Sequence, residues 1–260
     1  LNMGAGKKEE AEKYAGTAIT LMAVLGVVLC VTVRFFLDPL MRVFGATSDI
    51  LDYSLTYTGI TSLGFPFLIL ATGGSSLIRA DGSPRFSMFC TLAGAVINTS
   101  LDPLSIFGFH MGMAGAAWAT VIGQVVSGFM VIGYLTRFKT VKLTWKSLGL
   151  RPGYCLQVVA LGMSPFCNQL AMMVVQIVLN NSLTYYGGLS DYGSEIPLAC
   201  AGIISKVGMI YFAVVIGIAQ GLQPIVSFNY GAKKYDRVKE TVKKASMASL
   251  IISLAAFVVF

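Results

Sequence analysis

Asn98 and Asp102 lie four residues apart inside an apolar run, 86–109. That spacing puts a carboxamide and a carboxyl one turn apart on one face of a helix. A carboxyl can be neutral or charged, and a carboxamide can hydrogen-bond either form. An ionisable group at membrane depth is costly unless it is paired, protonated or turned to water, so it marks a functional position by default. Asp102 is the only carboxylate in any apolar span of the chain. The pair therefore reads as a proton- or cation-coupling site, with H+ or Na+ as the coupling ion and Asp102 as the place a sodium ion would sit. A second reading stands beside it. Asp-Pro often punctuates a helix end, and Leu37-Asp38-Pro39-Leu40 repeats the Leu101-Asp102-Pro103-Leu104 sequence just past another apolar run. On spacing alone, punctuation is slightly favoured.

A further set of polar residues is embedded later in the chain. Gln169, Gln176 and Asn180 share one face of the span 156–186, and such a stripe should face protein or water rather than lipid. Lys206 lies within the span 197–228, about ten residues or roughly 15 Å of helix from its outer end. Snorkelling or structural pairing and a cavity role suit Lys206 equally. Tyr211, one span-turn further on, could line the same cavity, although ordinary packing explains it as simply. The single histidine, His110, falls in a short loop. No cysteine pair has metal-ligand spacing, and the five cysteines read as small apolar residues. No cofactor is expected.

These residues must be carried by membrane helices. The chain is 55% hydrophobic and 12% charged, with a mean hydropathy of +0.74, against about 25% charged residues in a soluble domain. Runs of this length suit helices rather than the alternating strands of a membrane barrel. Seven spans are expected: A at 14–36, B at 53–78, C at 86–109, D at 113–135, E at 156–186, F at 197–228 and G at 245–260. Gly64 and Pro66 fall inside B, where proline removes one backbone bond and bends the helix. Span D opens on small residues that permit close helix contact.

Alternate loops divide the charge unequally. One face receives three basic residues at 2–13, two at 79–85, five at 137–155 and six at 229–244, sixteen in all, against Arg34 and Arg42 on the other. The positive-inside rule makes the first face cytoplasmic. This asymmetry accounts for the net charge of +7 without a nucleic-acid partner. The partners expected are the lipid bilayer and a small organic molecule.

The cytoplasmic loops also hold a repeat. Asn2-Met3-Gly4-Ala5-Gly6-Lys7 matches Asn229-Tyr230-Gly231-Ala232-Lys233-Lys234, each followed by charges and an apolar span. Six spans separate the copies, so both units have the same orientation, as in parallel-repeat transporters. Two units of six give twelve helices. The chain then reads as a piece of a longer protein. Residues 1–137 supply the last four helices of a first lobe, 138–155 a cytoplasmic linker, and 156–260 the first three helices of a second lobe.

Several stretches together resemble the multidrug and toxic compound extrusion (MATE) family. They are Ile78-Arg79-Ala80-Asp81-Gly82, Asn98 with Asp102-Pro103, and the run from Gly112 to Thr120. Gly217 to Pro224 and Asn229-Tyr230-Gly231-Ala232 complete the set. The resemblance covers essentially the whole chain. It implies an all-α polytopic bundle, about seven helices of a twelve-helix, two-lobe antiporter of the plasma membrane. Such an antiporter exports organic, often cationic, compounds on a proton or sodium gradient and is not an enzyme. It matches Asn98 and Asp102 to an Asn/Asp pair that forms an ion-coupling site in some members, and so turns the balance at Asp102 toward function. Some sodium-coupled members carry a glutamate on the helix matching span E, where this chain has only amides. Gln169, Gln176, Asn180, Lys206 and Tyr211 become candidates for a substrate cavity. A lipid-linked oligosaccharide flippase of the same superfamily is the alternative. It is disfavoured because only Lys206 offers an embedded cation.

Overall fold

The computed structural model describes residues 1–44, 48–140, 147–190, 193 and 195–259. Lys142, Trp145 and Lys146 of the basic loop, and Asp191 of a later loop, lie outside the described residues. Regular structure among the described residues is helical throughout: α1 (Lys8–Phe35), α2 (Leu37–Val43), α3 (Ser48–Thr61), α4 (Phe65–Ala80), α5 (Pro84–Pro103), α6 (Gly112–Leu135), α7 (Pro152–Gly188), α8 (Glu195–Gly231) and α9 (Tyr235–Val259).

The expected spans recur with informative differences. Span B is α3 and α4 joined by a tight turn at 62–64, with Pro66 in the first turn of α4. There its missing amide would be unsatisfied in any case. Span C is α5 followed by a π-helical turn over 104–108. Six segments are long and apolar enough to cross a membrane, with α3 and α4 forming one of them. The expected span C is not among them, because Arg85, Asn98 and Asp102 dilute the 20 residues of α5.

The described residues fall into two compact units, 7–155 and 1–6 with 156–260. In the first, α6 is the hub, packed along α5, α4 and α3, while α1 lies along α4. Its core gathers Ile78, Cys90, Val131 and Leu135, flanked by Phe86, Met130 and Tyr134. Without a water-driven force between helices, close backbone approach and side-chain hydrogen bonds hold such a bundle. Both are present where α5 meets α6. A Cβ on Gly123 would come within 2.7 Å of the Gly94 carbonyl oxygen, and the Ser127 hydroxyl donates to the Cys90 carbonyl at 2.9 Å.

The turn between α4 and α5 is fastened by a buried carboxylate. Asp81 is 4% exposed. It accepts the Tyr134 hydroxyl at 2.8 Å, the backbone amides of Lys139 at 3.0 Å and Thr140 at 2.9 Å, and the Thr140 hydroxyl. Gly82 follows with φ +80°, a conformation glycine adopts at no steric cost. The Arg79–Gly82 stretch thus holds a loop to the end of α6.

In the second unit α8 packs on α9, and residues 1–6 sit against the α8–α9 junction. Large apolar side chains cover its outside, among them Leu161, Ile210 and Phe257. Continuous apolar surface of this kind needs lipid or further helices to cover it.

Candidate functional site

The α5–α6 approach at Gly94 and Gly123 sets the position of Asn98. Its Cβ lies 3.2 Å from where a side chain on Gly123 would begin, so only glycine leaves room for it against α6. The Asn98 amide then donates to the Thr120 hydroxyl at 3.2 Å, and that hydroxyl donates to the Ala116 carbonyl at 3.0 Å. This departs from the expected pairing of Asn98 with the carboxyl on its own helix. Close packing across the interface turns the carboxamide to α6 instead.

Asp102 sits in the last turn of α5. Its Oδ1 is buried and has no hydrogen-bond partner among the described residues. A buried acceptor left in this state is expensive. Asp38, in the twin Leu-Asp-Pro-Leu sequence, behaves differently. It lies in the first turn of α2, is exposed, and accepts Arg42 Nε at 2.9 Å. A carboxylate is favourable at a helix N-terminus. At a C-terminus the free backbone groups are carbonyls, which cannot donate to it. The punctuation reading therefore describes Asp38 fully. For Asp102 it describes the position in the chain but gives no partner for the carboxyl.

Thr120 was not singled out from the sequence, where it only closes the matching run from Gly112. A lone hydroxyl in an apolar span was the available signal. Gln124, one turn along the same face of α6, was also missed. Its Oε1 is buried without a partner among the described residues and lies where a side chain on Gly64 would be. Asp102, Asn98 and Thr120 offer oxygen ligands, the donor type that suits a proton or a hard cation. Among the described residues no cluster of three or more His, Cys, Asp or Glu forms a metal site, and the five cysteines are free.

The other candidates lie in the second unit. Gln169, Gln176 and Asn180 are exposed on α7, and Gln176 donates to Asn180 Oδ1 at 3.1 Å. Lys206 is exposed on α8. The Tyr211 hydroxyl bonds the Ser253 hydroxyl of α9, which ties it to helix packing.

Long apolar helices and an embedded carboxyl define a polytopic membrane protein rather than a soluble one. Known proteins narrow the class. A family model described as MatE matches residues 2–104 and 167–260. The multidrug export protein MepA of Staphylococcus haemolyticus is 27% identical over 252 residues, covering 96% of this chain and 54% of that protein. Its Staphylococcus aureus counterpart is 27% identical over 246 residues, with 94% and 51% covered. Among solved structures, a MOP superfamily transporter from Pyrococcus furiosus aligns with TM-score 0.88 at 23% identity, covering 98% of this chain and 56% of that one. An outward-facing multidrug-resistance MATE transporter aligns with TM-score 0.89, also at 23% identity and with the same coverage. The chain belongs to the MATE family, a family of membrane transport proteins and not of enzymes. It spans about half the length of the curated relatives it matches.

Proposed function

We propose that the full protein is a secondary active antiporter of the plasma membrane, exporting drugs or organic cations on a proton or sodium gradient. Asp102 is its ion-coupling group, and Asn98, steadied by Thr120, positions the site. The observation that supports this most is the buried Asp102 oxygen without a donor. A proton on that carboxyl, or a cation beside it, supplies what the helices do not. The two states differ in charge, so loading and release of the ion can be linked to movement of a charged substrate. Gln169, Gln176, Asn180 and Lys206 are proposed to face the substrate path. Tyr211 is a weaker candidate, since its hydroxyl is engaged by Ser253.

The test is gradient-driven efflux of ethidium by the full-length protein in vesicles. Asp102→Asn keeps the shape but cannot exchange a proton or carry charge. It is expected to lose the response to an imposed gradient while inserting normally. A variant that responds like the parent would remove Asp102 from the mechanism.

A further inference from the structure

The two copies of the Asn-x-Gly-Ala repeat have the same backbone and touch each other. In the first, the Ala5 amide donates to the Leu1 carbonyl at 3.0 Å and the Gly6 amide to the Met3 carbonyl at 3.2 Å. In the second, at the offset that relates Gly4 to Gly231, the Ala232 amide donates to the Phe228 carbonyl at 3.0 Å and the Lys233 amide to the Tyr230 carbonyl at 3.0 Å. The next position is left-handed in both, Gly6 at φ +78° and Lys233 at φ +56°. A helix then begins at equivalent residues, Lys8 and Tyr235.

The contact between the copies is reciprocal. A Cβ on Gly4 would overlap the Phe228 carbonyl oxygen and approach the Ala232 nitrogen to 3.0 Å. A Cβ on Gly231 would overlap the Leu1 carbonyl oxygen and approach the Ala5 nitrogen to 3.1 Å. Each glycine thus faces the partner's equivalent of its own surroundings, the signature of an isologous contact about a local two-fold axis. Only glycine permits it, because backbone meets backbone there.

We propose that these turns form a seam on the cytoplasmic face that is made when that face is shut and parts when it opens. This deepens the antiporter reading and rests on it. Parting is cheap for physical reasons. The closest atoms are glycine Cα hydrogens and carbonyl oxygens, whose contacts are weak, about 0.5–1 kcal/mol each. Lys7, Lys8, Lys233 and Lys234 flank the turns in sequence with a single sign of charge, so separation is not opposed by ion pairs across the seam.

The experiment uses the full-length, cysteine-free protein with Ala5→Cys and Ala232→Cys, a short bis-methanethiosulfonate cross-linker and ethidium as substrate. Cross-linking is expected to lower gradient-driven efflux about tenfold or more, as expected when one of two states is withdrawn, with recovery on reduction and no effect in either single-cysteine protein. Failure to cross-link overturns the seam. Cross-linked protein that transports at the untreated rate shows a permanent weld and also overturns it. Gly4→Val and Gly231→Val should each slow cross-linking about tenfold by blocking the approach; an unchanged rate in both removes the glycines from the proposal. If the untreated protein shows no gradient-driven efflux, the antiporter reading fails on its own. The seam is then decided by the cross-linking rate, which must differ severalfold between opposed ion gradients and is overturned by equal rates.

Discussion

At the scale of single residues, the two Leu-Asp-Pro-Leu sequences show how little a motif says before its surroundings are known. Asp38 meets Arg42 at a helix start on the exposed surface, and the contact raises the Arg42 guanidinium above its ordinary pKa. Exposed pairs of this kind contribute about 0–1 kcal/mol. Asp38→Asn is therefore expected to leave efflux at the parental level, measured beside Asp102→Asn at matched expression. Thr120→Val removes the hydroxyl that holds the Asn98 amide. It should reduce gradient-driven efflux less than Asp102→Asn, since it disturbs orientation and not the ionisable group. Equal loss in all three variants would mean that general misfolding, and not ion coupling, is being read.

The elements are held together by glycines and by buried polar contacts more than by apolar contact, as expected where lipid competes for every apolar face. The Asp81 network shows the magnitude. It joins the α4–α5 turn to the chain leaving α6 through four donors. Tyr134→Phe deletes one of them and should cost about 1–2 kcal/mol, read as a lower thermal midpoint in detergent. Asp81→Ala strands the buried amides of Lys139 and Thr140 and should cost about 3 kcal/mol or more. A smaller loss for Asp81→Ala than for Tyr134→Phe would show that the carboxylate does not organise the loop. The Tyr134→Phe variant should still transport, because the network lies away from Asp102.

For the whole molecule, charge sets orientation. Sixteen basic residues fall in one set of loops and two in the other. Single cysteines at Arg85, Arg151 and Lys239 are expected to resist an impermeant thiol reagent applied outside intact cells and to react after permeabilisation. A cysteine at Arg42 should react from outside. Labelling of Arg151→Cys in intact cells would invert the topology and move the glycine seam to the opposite face.

Span number, orientation and the repeat follow from sequence alone, because each depends on local composition: an apolar run long enough to cross, the sign of its flanks, a glycine kept at an equivalent position. The Asn98–Asp102 spacing was legible for the same reason, since a helix converts four residues into one turn. The partners of those residues were not legible. Whether Asn98 bonds Asp102 or Thr120 depends on how closely α5 approaches α6, which Gly94 and Gly123 decide across the interface. Whether an Asp-Pro is a paired surface carboxylate or a buried one depends on which helix end it occupies and what packs there. The contact of Gly4 with Phe228 and of Gly231 with Leu1 joins residues far apart in the chain, and no pattern within either copy specifies that they meet. Tertiary structure decided these matters because burial and hydrogen-bond partners belong to pairs of elements, whereas hydropathy and charge belong to each segment by itself.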